Sequence, residues 1–203
     1  MTDVHEGELA VHRLRGLSLT MDDLEYALAV GDNQARYYRT ENDPPSMSGL
    51  ARWAGTVRGL RNRLVPRGWH KKNPRNLPVT LAPDHSFGIV SVTGNEYTGI
   101  RGFTPPSPVR PPGLVTLQAI GWNLQQFEPQ LQLPFGDEEL ELMAEDSTGG
   151  IGSRILWILL YRESQDKIWA ELSQPLLVEG GVVERWQERI LVPTYSPHGE
   201  VSP

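Results

Sequence analysis

SRILWILLYRESQDKIWAELSQPLLVEGGVVERWQERILV, residues 153 to 192, decides the fold. Its three runs, SRILWILLYR, KIWAELSQP and VVERWQERILV, are rich in β-branched, aromatic and leucine residues and are separated by ESQD and EGG. Such turn-forming breaks between short apolar runs predict a β-meander. The first run is apolar almost throughout, which predicts a central strand covered on both faces. The other two alternate apolar and polar positions, so each should keep one wetter face.

Upstream, LPVTL at 77–81 and FGIVSVT at 87–93 flank the turn former APDHS and predict a hairpin. Helical spacing predicts three helices. The first starts at 21, capped by Thr20 with Asp23, and stops near Gly31. The second carries Leu50, Trp53, Val57, Leu60 and Leu64, and the third covers 114–126. A fourth, short and acidic, is expected at 136–146. The expectation is therefore one α+β domain: a mainly antiparallel sheet of about five strands (77–93 and 154–192) packed with three to four helices. Residues 1–18 read as a flexible arm, 101–113 with five prolines as an extended connector, and 193–203 as a flexible tail.

The 203 residues carry 19 basic and 25 acidic side chains, a net charge of -6. The distribution is uneven. Positions 44–83 hold eight basic residues and no acid, a charge of +8, leaving 11 basic against 25 acidic residues, or -14, elsewhere. A local patch, not total charge, governs capture of a polyanion. The candidate nucleic-acid contacts are Arg52, Arg58, Arg61, Arg63, Arg67, Lys71, Lys72 and Arg75, with Trp69 as a stacking platform. On a helical wheel Ala51, Gly55, Gly59 and Asn62 occupy the face opposite the apolar stripe, where small residues would let a phosphate backbone approach. A competing reading has the six acids of DEELELMAED, 137–146, or an acidic protein subunit, answering these charges.

Catalytic motifs are sparse. The absence of cysteine removes disulfides, thiolate metal sites and cysteine nucleophiles. The three lysines follow Trp69, His70 and Gln165 at the second place, so the acid-x-Lys element of metal-dependent nucleases is missing. The five histidines show no paired ligand spacing along the chain. Neither a metal nor a cofactor is expected. TGNEYTG, 93–99, is a possible substrate loop through Asn95 and Glu96, although turn chemistry explains the same residues. Glu171 is expected in an exposed cross-strand pair with Arg162 or Arg185. The N-terminus lacks the apolar core of a signal peptide and ILWILLY is too short to span a bilayer, so the expectation is a cytoplasmic protein without membrane contact.

RWAGTVRGLR (52–61), LPVTLAPDHSFGIVSVTGNEYTG (77–99), WILLY (157–161), AELSQP (170–175) and ERWQERILVP (184–193) together resemble a family of uncharacterised bacterial proteins associated with mobile-element or defence gene neighbourhoods. The resemblance implies a bacterial setting with nucleic acid or a larger assembly as partner, and no activity. The functional expectation is a non-catalytic accessory subunit contacting DNA or RNA through 50–76; the alternative is a module docking an acidic protein.

Overall fold

A computed structural model describes residues 2–127 and 154–195, and places them in an α+β fold. The acidic helix expected at 136–146 and the segment 196–203 lie outside the described residues. In chain order the elements are β1 (Asp3–His5), α1 (Gly7–Gly16), α2 (Met21–Tyr37), α3 (Met47–Leu64), β2 (His70–Lys72), β3 (Val79–Leu81) and β4 (Phe87–Thr93). There follow α4 (Leu114–Phe127), β5 (Ile155–Ser164), β6 (Lys167–Glu179) and β7 (Val182–Tyr195).

The meander forms as its sequence requires, with β5–β6 and β6–β7 antiparallel. The sheet is larger and more mixed than expected: seven described strands in the order β1-β7-β6-β5-β4-β3-β2. Two pairings are parallel, β4 with β5 and β1 with β7. A parallel β4–β5 seam needs a crossover, and residues 94–154 supply it, carrying α4 across one face.

β5 lies fourth of seven, and Leu156 to Tyr161 are all buried. Trp157, Leu159 and Tyr161 point to a core shared with Ala10, Leu14, Leu24, Ala27, Leu28, Leu60 and Leu64 of α1, α2 and α3. Leu156, Ile158 and Leu160 point the other way, onto Ala119 and Ile120 of α4 and Trp186 of β7. Each such side chain contributes about 1.5–3 kcal/mol by burial.

Two expectations need correction. Residues 1–18 are not a free arm, because Ala10 and Leu14, four apart on α1, are fully buried and β1 adds to the sheet edge. Arg13 and His5 both reach Glu188 of β7, tying this segment down. β6 also lacks the wetter face expected of it. α4 and the residues before the proline-rich stretch cover it, through Asn123 to Pro175 O and Gly99 N to Glu171, while the proline-rich stretch lies on β7: Trp186 Nε1 donates to Pro106 O at 2.9 Å and Val183 N donates to Ser107 Oγ at 3.0 Å.

The register of β6 against β7 shifts around Pro175, which has no N–H for the ladder. Buried Asn123 of α4 fills in there. Its Nδ2 donates to Leu156 O and Pro175 O, and its Oδ1 accepts from Leu156 N, at 2.8–3.0 Å.

Candidate functional site: a basic sheet edge

The nine residues expected to contact nucleic acid separate into two groups. Arg52 is buried on α3, where Nη1 donates to Asp32 Oδ1 at 2.8 Å and Nη2 to Glu163 Oε2 at 2.7 Å. Arg36 and Arg39 complete the cluster on Asp32 and Glu163 at 2.5 and 2.6 Å. The Arg39 hydrogen bond is the main cause holding the Glu163 carboxyl below its usual range, with Arg52 adding to it. At the other end of α3, Arg63 pairs with Asp22 and Asp23, and Arg67 with Asp23 at 2.9 Å. These three arginines are neutralised by α2 and β5. An open depression of about 410 Å³ between Thr20, Asp22, Asp23, Asn62, Arg63, Pro66 and Arg67 is lined by the same self-paired charges.

Trp69 is only 3% exposed and packs edge-to-face on Phe87 at 5.4 Å between ring centroids. The stacking role expected for it does not fit this position, because the indole fills the core. The small-residue face of α3 is also occupied. A Cβ on Gly55 would lie 2.8 Å from Gly31 Cα, and one on Gly59 would lie 2.8 Å from Ala27 Cα, so this face is the α2–α3 contact. Close helix approach explains the small residues.

The second group gathers around β2, an edge strand whose three residues are all exposed. Lys71 and Lys72 stand on it, and Arg75 is exposed in the turn that follows. Arg61 reaches across from α3, its Nη2 donating to Lys72 O, Asn73 Oδ1 and Val79 O at 2.9, 2.8 and 3.1 Å. All three acceptors are neutral, so its charge is not cancelled; burial lowers its pKa from the ordinary value. Arg58, one turn earlier on the same flank, is exposed. Sequence reasoning missed one feature here. His70 of β2 and His85 of the β3–β4 turn, far apart in sequence, bring their rings to 4.5 Å between centroids.

The loop 93–99 is a clamp, not a pocket floor. Asn95 Oδ1 accepts from Tyr97 N in a turn, and Glu96 is exposed. Glu171 lies beneath this loop, fully buried and not on the surface, and its partner is Arg189 in place of Arg162 or Arg185. Arg189 Nε and Nη2 donate to the two carboxylate oxygens at 3.0 and 2.6 Å. Ser173 Oγ and Gly99 N also donate to Glu171, at 2.6 and 2.9 Å. Four donors occupy the carboxylate, and its burial leaves it no access to a substrate. Gly99 has φ +72, and a Cβ there would stand 2.8 Å from Ala170 N. Arg162 stacks 4.9 Å from the Trp169 ring centroid and donates to Thr98 O at 3.2 Å.

Among the described residues no group of three or more His, Asp or Glu side chains is arranged to hold a metal. Burial pushes the Tyr161 phenol up to about 12, out of reach of proton transfer near neutral pH. No helix among the described residues is long and apolar enough to cross a membrane. Comparison of the chain with protein-family models, curated proteins and solved structures finds no match.

Proposed function

We propose that the chain is a non-catalytic interaction module that docks an acidic protein partner on the β2 edge of its sheet, through Arg58, Arg61, Lys71 and Lys72 with Arg75 alongside. One observation carries this reading. Arg52, Arg63 and Arg67 are neutralised inside the fold, whereas Arg61 meets only neutral oxygens and Arg58, Lys71 and Lys72 are exposed. An interface of this kind gains its association rate and selectivity from complementary charge.

The same charges would attract nucleic acid, the partner class that the uneven charge alone favours. Two features favour protein instead. Trp69 is in the core, which removes the indole platform, and the remaining cations are confined to one three-residue strand, its turn and one helix flank. A compact patch suits an acidic protein surface better than the long track of a phosphate backbone. A larger bacterial assembly, such as the resemblance implies, is the natural setting.

Titration with an oligoglutamate peptide and, separately, a short DNA duplex tests the reading. The peptide should bind and weaken as salt rises, and combined Arg58→Glu, Lys71→Glu and Lys72→Glu should abolish binding while Lys167→Glu, at the start of β6, leaves it intact. Tighter binding of duplex than of peptide at physiological salt, lost in the same triple variant, would return the patch to nucleic acid.

A further inference from the structure

We propose that His70 and His85 form a two-histidine site for a first-row divalent ion that prefers nitrogen ligands in cis, Cu²⁺ or Ni²⁺. The site is independent of the partner reading above.

Strand alternation creates it. Trp69 turns into the core, so His70, the next residue, turns outward at the sheet edge. β2 pairs with β3 so that His70 stands opposite Leu81, beside the turn that carries His85. The turn itself is fixed: His85 N donates to Ala82 O at 2.9 Å, and His85 adopts φ +61. The two exposed rings therefore belong to neighbouring rigid pieces and meet without a long loop between them.

Ring spacing sets how the two imidazoles can share an ion. With a metal–nitrogen bond of about 2.0–2.1 Å, the metal lies roughly 3.2 Å from each imidazole centroid, so two cis ligands at a right angle put the centroids about 4.5 Å apart, and tetrahedral ligands about 5.2 Å. The observed separation is 4.5 Å, with the ring planes at 68°. The contact is edge to face, so one exposed ring turns about its side-chain torsions to aim a nitrogen at a shared ion, and both spacings lie within that reach. Neutral imidazole is a preferred ligand for copper and nickel.

The surroundings limit the site to these two protein ligands. Asp84 Oδ1 accepts from Ser86 N at 3.0 Å and Ser86 Oγ at 2.7 Å, and among the described residues no third His, Asp or Glu joins the pair, so water completes the coordination. Lys71 projects to the other side of β2 by strand alternation. Lys72 shares the side of His70, and solvent screens its repulsion on this exposed strand.

Nickel titration of the tag-free chain in a non-coordinating buffer tests the site, with the histidine ring signals followed by nuclear magnetic resonance. Binding should saturate at one ion per chain, and the His70 and His85 signals should broaden ahead of those of His5, His12 and His198. His70→Gln and His85→Asn should each weaken binding by more than about tenfold, Asn being chosen because it tolerates the left-handed backbone at 85. His12→Ala should change nothing. Unsaturable binding, or retention of nickel affinity within about twofold in either variant of the pair, overturns the proposal; the exposure of both rings keeps the fold of these variants intact.

Discussion

The two ends of the acid-free segment 44–83 have opposite fates. Along α3, Arg52 and Arg63 find carboxylates on α2 and at the end of β5. Around β2, Arg61 finds only neutral acceptors, and Lys71 and Lys72 face water. What separates them is the neighbour that the fold supplies, not their position in the charge run. α2 brings Asp22, Asp23 and Asp32 against α3, whereas among the described residues β2 has only β3 beside it and no further strand. Local excess charge in a sequence is thus a field at the surface only where the topology leaves an edge.

The sharpest way to break this contrast is Arg52→Ala. It leaves Asp32, which is 2% exposed at its side chain, with Arg36 alone and Glu163 with Arg39 alone, and should lower stability by about 1.5–3 kcal/mol in urea unfolding. A loss below about 1 kcal/mol would mean that α3 holds its arginine for the surface after all. Gly31→Ala comes next. Its Cβ would meet Thr56 Oγ1 at 2.2 Å and Arg52 O at 2.8 Å, forcing α2 and α3 apart at a cost of about 1–3 kcal/mol, read as a fall in Tm.

Much of this contrast was illegible in the sequence. Periodicity found α3 correctly but assigned its small-residue face to a ligand, because a stripe of Ala51, Gly55 and Gly59 reads the same whether a phosphate or another helix approaches. The meander and the β3–β4 hairpin were legible from alternation and turn residues, since their partners are adjacent in sequence. β1, β2 and the β4–β5 seam were not, because two are three-residue strands and the third pairs across a long crossover. Burial of Trp69 had one overlooked signal: a loop indole two residues from lysines is also the strand-edge pattern of apolar-in, charged-out.

A smaller effect tests the rim of the α3 cluster. Because the folded Glu163 carboxyl is held below its ordinary value of 4.5, its contribution is fully present above that value and lost as pH falls through the lower, folded one. The stability gap between the wild type and Glu163→Gln should therefore be constant near neutrality and close in acid. Solvent screening at this half-open site keeps it to about 1 kcal/mol or less. Smallest of all, Lys71→Glu with Lys72→Glu should move stability by no more than about 0.5 kcal/mol, since both side chains are exposed on an edge strand. A cooperative loss of structure in that double variant would show that β2 is held by its charges, and would dissolve the distinction between the two ends.

The parallel β4–β5 seam has a kinetic meaning. The α2–α3 pair and the β5–β6–β7 meander each close over short connections, so both can form from local contacts, in microseconds to milliseconds. Joining Phe87–Thr93 to Ile155–Tyr161 instead closes the whole of residues 94–154, and the loop entropy must be met before any of its seven paired positions is gained. The seam, with the still longer β1–β7 closure, is therefore where folding is expected to be slow: the α2–α3 pair and the meander form first, and the parallel pairings that join N-terminal to C-terminal residues follow.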